Sequence, residues 1–530
     1  MTHEISPQQQ LKQVNQLAQQ RQLKPALLLA ETINQQHPDF APAWFTGAFL
    51  YFQTNQPEQA ENALKKARQL EPDNILFAFQ EIMMLDAMNR PAEALCLAQR
   101  FIDKTLPDSN MSSQLAGIFE KNEDFLGAQR LYKHLNTLQP QQSSWLLKLA
   151  LMEQNFGHID TAELFVNQAL AIDPNNADAL FLQSNLKKQD SDHNHIDFLQ
   201  ALSENKSANP TDQAKLYFAL AKELEDCKRY EASFKARKSG ADLYRHTFQY
   251  DIQSDLQFMR QLRTDFNIEF VNQDMPGFET EEPIFIVGLP RSGTTLLDRI
   301  ITSHSDVTAA GELKQFNRCM LQALQMLKLS PQLSRTEMVT ASKNIDFQRL
   351  GENYLRSSRT RTGHSPRFTD KFPQNSYYVG MILKALPKAK IIIMQRNPIA
   401  VCYAVFKQLF SEGSYPYSYS LTEMADYYIE HNKLLNHWQA IGGDAVKTVY
   451  YEDLVDELEK QAQDILSFLN LPWQPACLDF HKNQQPTATA SASQVRQKLY
   501  NDSVDLWRQY EQQLQPMIDK LRSAGCLSGS

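Results

Sequence analysis

Nowhere in this 530-residue chain does an apolar run approach the roughly 20 residues needed to span a bilayer. Its opening, MTHEISPQQQLKQ, has neither a basic stretch nor an apolar core, so no secretory signal is expected. Positive charge is not in excess. Fifty-three Lys and Arg stand against 61 Asp and Glu, a net charge of -8, which leaves no overall basic field to release counterions from nucleic acid. Cysteine is scarce: Cys96, Cys227, Cys319, Cys402, Cys477 and Cys526 form no close pair. That pattern fits free or buried thiols in a reducing compartment rather than a disulfide frame or a zinc site. With 42% hydrophobic residues, 22% charged residues and a mean hydropathy of -0.47, a soluble globular protein of two or more domains remains, expected in the cytoplasm.

A further absence lies at the middle of the chain. Residues 283–295 read PIFIVGLPRSGTT: a β-branched and aromatic strand, a loop bounded by Gly288 and Gly293, then Leu296, Leu297, Ile300 and Ile301 at helical spacing. Such a strand–loop–helix cradles a phosphate, with loop N–H groups and the positive helix end facing the anion. The nucleotide P-loop pattern would put lysine at position 294, and the residue there is Thr294. Its positive charge lies within the loop instead, at Arg291. The site is therefore expected to take a doubly phosphorylated nucleotide without a metal ion. The plainer account is a strand-to-helix turn that needs two glycines.

The first half repeats. Ala26, Ala60, Ala94, Ala128 and Ala162 recur every 34 residues (60 − 26 = 34), and Pro38, Pro72, Pro140 and Pro174 keep one phase, with Pro107 one residue late. This period is the tetratricopeptide signature. Residues 41–74 display it best, through Trp44, Gly47, Tyr51, Ala60, Leu64, Ala67 and Pro72. Repeats are expected over about 7–40, 41–74, 75–108, 109–142 and 143–176, with a looser helical pair over 211–245. The domains follow: an all-α solenoid over 1–250, a linker over 251–280, and an α/β domain over 281–530. The solenoid serves either as a surface for a protein or peptide partner or as a structural or dimerising frame.

In the second half, Val307 to Ala310 returns as an extended segment that brings Glu312 towards the loop. Phe368 to Pro373 delivers Lys371, the strand Lys390 to Met394 ends at Arg396, and Lys447 to Tyr451 is a further strand. Strands alternating with helical patterns predict a mostly parallel sheet whose C-terminal edge carries the ligands.

Gly288 to Thr295, Gly311-Glu312, Asp370-Lys371, Arg396-Asn397-Pro398 and Tyr451 to Leu454 together resemble the sulfotransferase superfamily. Residues 281–510 resemble its tyrosylprotein sulfotransferase branch, and the fused repeats resemble bacterial tetratricopeptide-repeat sulfotransferases. The resemblance implies 3′-phosphoadenosine 5′-phosphosulfate (PAPS) as donor, PAP as product and no metal. It assigns Arg291, Ser292, Gly293, Thr294 and Thr295 to the 5′-phosphosulfate, Arg396 to the 3′-phosphate and Tyr451 to the nucleotide. Ser493 and Arg496 fall in the family's lid. A family serine eight residues after Arg396 is Ala404 here, which leaves one 3′-phosphate bond missing or supplied elsewhere, for example by Ser411 or Lys407.

The catalytic residues so implied are Glu312 as base, Lys371 at the leaving oxygen and Arg291 beside the sulfuryl group. His304 is the nearest histidine that could replace Glu312. The expected activity is sulfuryl transfer to a hydroxyl acceptor, a peptide or protein tyrosine, presented or assisted by the repeats. Two alternatives remain open: a metal-dependent P-loop kinase or NTPase, and a catalytically inactive repeat scaffold that binds nucleotide.

Overall fold

The computed structural model describes residues 6–527 apart from 89, 103–107, 206–208, 331, 411–412, 484 and 486–503. Two compact units divide the chain, Met1–Pro140 and Gln141–Ser530. No helix among the described residues is long and apolar enough to cross a membrane.

Within the first unit, helices pair as the 34-residue period requires. Ala41–Gln53 and Pro57–Leu70 form one such pair. Their small residues Ala43, Ala48, Ala60, Ala63 and Ala67 are buried, so the two backbones approach closely. Three of these pairs turn through a residue of positive φ: Arg21 (60°), Asn55 (59°) and Glu123 (56°). In the second unit, Gly157 (85°) continues the same phase. Helical pairs persist there over Ser143–Phe156 with Ile159–Ile172, and Pro210–Asp226 with Tyr230–Arg245.

The second unit is built on a five-stranded sheet. Its strands are β1 (Pro283–Gly288), β2 (Val307–Ala309), β3 (Arg367–Asp370), β4 (Lys390–Gln395) and β5 (Val446–Tyr450), in the order β2-β3-β1-β4-β5. Every pairing is parallel. β1 is central and buried along its whole length. Side chains on a strand alternate between faces, and here they divide between two cores. Phe285, Val287, Ile391 and Ile393 join the larger one. Ile284, Ile286, Ile392 and Met394 join the other, with Leu297, Ile300 and Leu466. Apolar faces on both sides explain why these strands read as unbroken hydrophobic runs. Burying each such side chain contributes roughly 1.5–3 kcal/mol.

Register then fixes the site. Gly288 pairs with Met394 and Phe285 with Asp370, so the loops after β1, β3 and β4 leave the sheet along one edge. The α/β class and parallel sheet expected from the sequence are present.

Candidate active site

The loop after β1 is shaped by three residues of positive φ: Gly288 (153°), Arg291 (68°) and Gly293 (107°). Neither glycine has room for a side chain. A Cβ at Gly288 would lie 2.5 Å from the Met394 carbonyl oxygen, and one at Gly293 2.5 Å from Tyr451 Cδ2. Gly293 caps the helix Thr294–Ile301, whose first amides and positive dipole end face the loop. Inside the turn, the Ser292 hydroxyl is buried without a hydrogen-bond partner. Thr294 and Thr295 are buried beside it. An orphaned Ser292 hydroxyl, a helix N-terminus and a backbone cradle that excludes any Cβ fit a phosphate-like anion.

A second group forms where β2 and β3 end. The pairing runs one step beyond β2: Ala310 N donates to Thr369 O and Lys371 N donates to Gly311 O, both at 3.0 Å. This brings the two loops side by side, and Lys371 Nζ donates to Glu312 Oε1 at 2.5 Å. Lys371 is almost fully buried, whereas Glu312 is about a third exposed.

Two buried carboxyls flank this pair: Asp370, which the sequence offered only as part of the Asp370-Lys371 motif and with no role, and Asp298, which it did not single out. Asp298, on the loop helix, accepts from Thr369 Oγ1 at 2.6 Å. Burial pushes its carboxyl up, opposed by the charge of Lys371. Asp370 accepts from the Tyr354 hydroxyl at 2.8 Å. Burial pushes the Asp370 carboxyl up to about 8 against that hydrogen bond and the charge of Lys371. Tyr415 also lies within electrostatic reach of the site; burial and the negative charge of Glu312 raise its phenol. Apolar neighbours lay out no pattern around these groups that periodicity could have revealed.

A third group closes the far side. Arg396 follows β4 directly, and its Nη1 donates to the Arg291 carbonyl at 3.2 Å. Its guanidinium lies 4.6 Å over the Tyr451 ring. That ring in turn occupies the space a Cβ on Gly293 would need. Asn397 caps the helix Pro398–Phe406, accepting from the amides of Ile399 and Ala400. Its own amide donates to Glu452 Oε1 at 2.9 Å.

The expected residues thus fall into two clusters: Arg291, Gly293, Arg396 and Tyr451, and Glu312 with Lys371. His304 belongs to neither. It is buried, its Nε2 donates to the Pro472 carbonyl at 3.0 Å, and its Nδ1 accepts from the Asp306 amide at 3.1 Å. Both ring nitrogens are occupied by backbone. Ala404 is half-buried and offers no polar atom in its helix. Ser411, Ser493 and Arg496 lie outside the described residues.

Residues 283–475 match the model of the sulfotransferase family, and residues 17–80 match that of the tetratricopeptide repeat. The chain is 28% identical over 425 residues to an uncharacterized protein of Aquifex aeolicus (strain VF5), covering 79% of this chain and 54% of that one. It is 26% identical over 208 residues to a protein-tyrosine sulfotransferase of Drosophila melanogaster, covering 39% and 42%. The chain therefore spans about half the length of these relatives. Among solved structures, a sulfotransferase domain from the curacin biosynthetic pathway is 19% identical, with a TM-score of 0.31, over 47% of this chain and 99% of that one. The chain accordingly joins a region that matches the tetratricopeptide repeat to a C-terminal region that matches the sulfotransferase family.

Proposed function

We propose that this chain moves a sulfuryl group from PAPS to a hydroxyl acceptor, a peptide or protein tyrosine, and does so without a metal ion. The observation that carries the reading is the Lys371–Glu312 pair at 2.5 Å, set on strand ends next to the glycine-bounded loop. PAPS supplies the activated sulfuryl group and leaves as PAP. Ser292, Thr294, Thr295 and the first helix amides hold the 5′ end, with Arg291 beside it. Arg396, stacked on Tyr451, holds the 3′-phosphate; Ser493 and Arg496 are proposed as lid contacts on the family resemblance.

The acceptor needs a base, because a phenol with a pKa of about 10 is protonated at neutral pH. Glu312 is the more exposed member of its pair and receives that proton at a carboxylate oxygen. Lys371 has three N–H donors, so one can stay on Glu312 while another meets the oxygen that gains charge. The Drosophila relative's name supports tyrosine as acceptor. Repeats up to about residue 245 are proposed to engage the acceptor protein, and residues 281–530 to carry the chemistry. All six cysteines are unbridged, which agrees with a cytoplasmic setting.

The test is thermal stabilisation by adenosine 3′,5′-bisphosphate, followed by sulfate transfer from PAPS to a tyrosine peptide library with and without EDTA. Transfer that persists in EDTA supports the reading, and a chain that fails to bind the bisphosphate overturns it. Arrest by EDTA would point to the kinase or NTPase alternative, and binding without transfer to the inactive scaffold.

A further inference from the structure

Where the helical pair Pro210–Asp226 and Tyr230–Arg245 meets the helix Pro398–Phe406, a buried Arg237, a largely buried Glu225 and a three-quarters buried Lys407 are packed together. Glu225 receives Lys407 Nζ on Oε1 at 2.5 Å, and the hydroxyls of Tyr403 and Tyr510 on Oε2 at 3.0 and 2.9 Å. Burial acts to raise this carboxyl, but Lys407 and Arg237 outweigh it and hold it at about 2. The carboxylate is therefore ionised and its oxygens are taken.

Arg237 is less well served. Its residue exposure is 2%. Nη1 donates to the Lys407 carbonyl at 2.8 Å, but Nη2 stands 3.8 Å from Glu225, too far for a hydrogen bond. Nε and Nη2 are buried without hydrogen-bond partners. One carboxylate thus faces two cations, Arg237 buried and Lys407 partly so, and a third cation lies close: Arg291 of the loop adds to the charge that opposes protonation of Lys407. Buried ions are kept where they are paired, and idle buried N–H donors are costly. This cluster is one anion short.

The missing anion has a place in the proposed donor. Lys407 caps the C-terminal end of the helix that begins after Arg396, three residues beyond Ala404. Ala404 is where a polar group would be expected and none is present. We propose that Lys407 and Arg237 complete the 3′-phosphate subsite opposite Arg396, with Glu225 as the positioning residue that fixes Lys407. The helical pair over 210–245 then takes part in donor binding, not only in contacts to a partner protein. This inference rests on the donor proposed above.

The test uses the full chain and titration calorimetry with adenosine 3′,5′-bisphosphate and adenosine 5′-monophosphate, which differ only at the 3′ position. Lys407→Gln and Arg237→Lys are each expected to weaken the bisphosphate about 10- to 100-fold, as for a lost charge-assisted bond, and to leave the monophosphate within about twofold. Equal weakening of both nucleotides would show a structural cluster and overturn the inference, as would variants that keep the wild-type preference. Ala404→Ser provides a check that does not disturb the cluster. Little gain in bisphosphate affinity is expected if the subsite is already complete, and a tenfold gain would overturn the inference. A wild-type chain with no preference for the bisphosphate would overturn the donor proposal itself and the inference with it.

Discussion

Lys371 Nζ reaches Glu312 Oε1 across 2.5 Å, although the two residues sit on different loops and differ tenfold in exposure, 3% against 31%. The shared ladder of Ala310 with Thr369 and of Gly311 with Lys371 makes that contact possible. The proposed base and the proposed cation for the leaving group are thus in contact before any substrate arrives. The pairing limits the cost of burying the ammonium, and it places the carboxylate at the solvent side of the pair.

Replacing Glu312 separates its chemical role from its pairing role. Glu312→Gln keeps a hydrogen bond to Lys371 and removes the base. Turnover is expected to fall about 10²–10⁴-fold, the usual contribution of a general base, with bisphosphate affinity nearly intact by calorimetry. Glu312→Ala should match that loss and also lower the melting temperature, because Lys371 is left buried without this partner. Unchanged turnover in Glu312→Gln would remove the residue from the role.

Lys371→Ala is expected to lower kcat on the order of 10²–10³-fold, with a smaller effect on KM, because charge on the leaving oxygen develops only in the transition state. Steady-state kinetics with PAPS as the varied substrate measure the split. A loss seen only in KM would make Lys371 a binding group.

How much of this was legible in the sequence depends on range. The 34-residue spacing of Ala26, Ala60, Ala94, Ala128 and Ala162 was readable because each fills the same close contact between paired helices. The turn residues in the same register were not: Arg21 and Glu123 adopt positive φ with side chains that do not signal it, whereas Asn55 and Gly157 are types that favour it. Strand identity was readable from PIFIVG and KIIIM. The strand order was not, so the meeting of Glu312 with Lys371 could be expected only from resemblance. Lys407 was named in the sequence as a possible phosphate ligand. Its hold on Glu225, far away in the chain, arises from helix packing that no local pattern encodes.

Gly293→Ala tests the cradle directly. At φ 107° an alanine is strained, and its Cβ would meet the Tyr451 ring at 2.5 Å. The strain is of order 1–3 kcal/mol, and relief requires Tyr451 to move from beneath Arg396. Bisphosphate affinity is therefore expected to fall by at least about tenfold, read by calorimetry. Gly117→Ala is the control. It lies within the helix Ser109–Lys121 with nothing within 4 Å of the new Cβ, and should stabilise by roughly 0.5–1 kcal/mol without touching affinity. Equal effects from both changes would discard the cradle as the cause.

Asp370 gives the protein a pH dependence whose sign is fixed by burial. Its carboxyl is pushed from 3.8 up to about 8 in the fold, so it stays protonated there at neutral pH while the unfolded chain ionises near 4. The unfolded state therefore loses its proton first. The stability Asp370 contributes is fully present below about pH 4, falls as pH rises towards 8, and is level beyond. Asp370→Asn keeps the shape and an acceptor for the Tyr354 hydroxyl but has no proton to lose. Urea unfolding at pH 5, 6.5 and 8 should show the asparagine variant gaining on the wild type at each step. A difference that stays flat across that window would mean that Asp370 is ionised in the native protein, held so by the ammonium of Lys371 next to it in the chain.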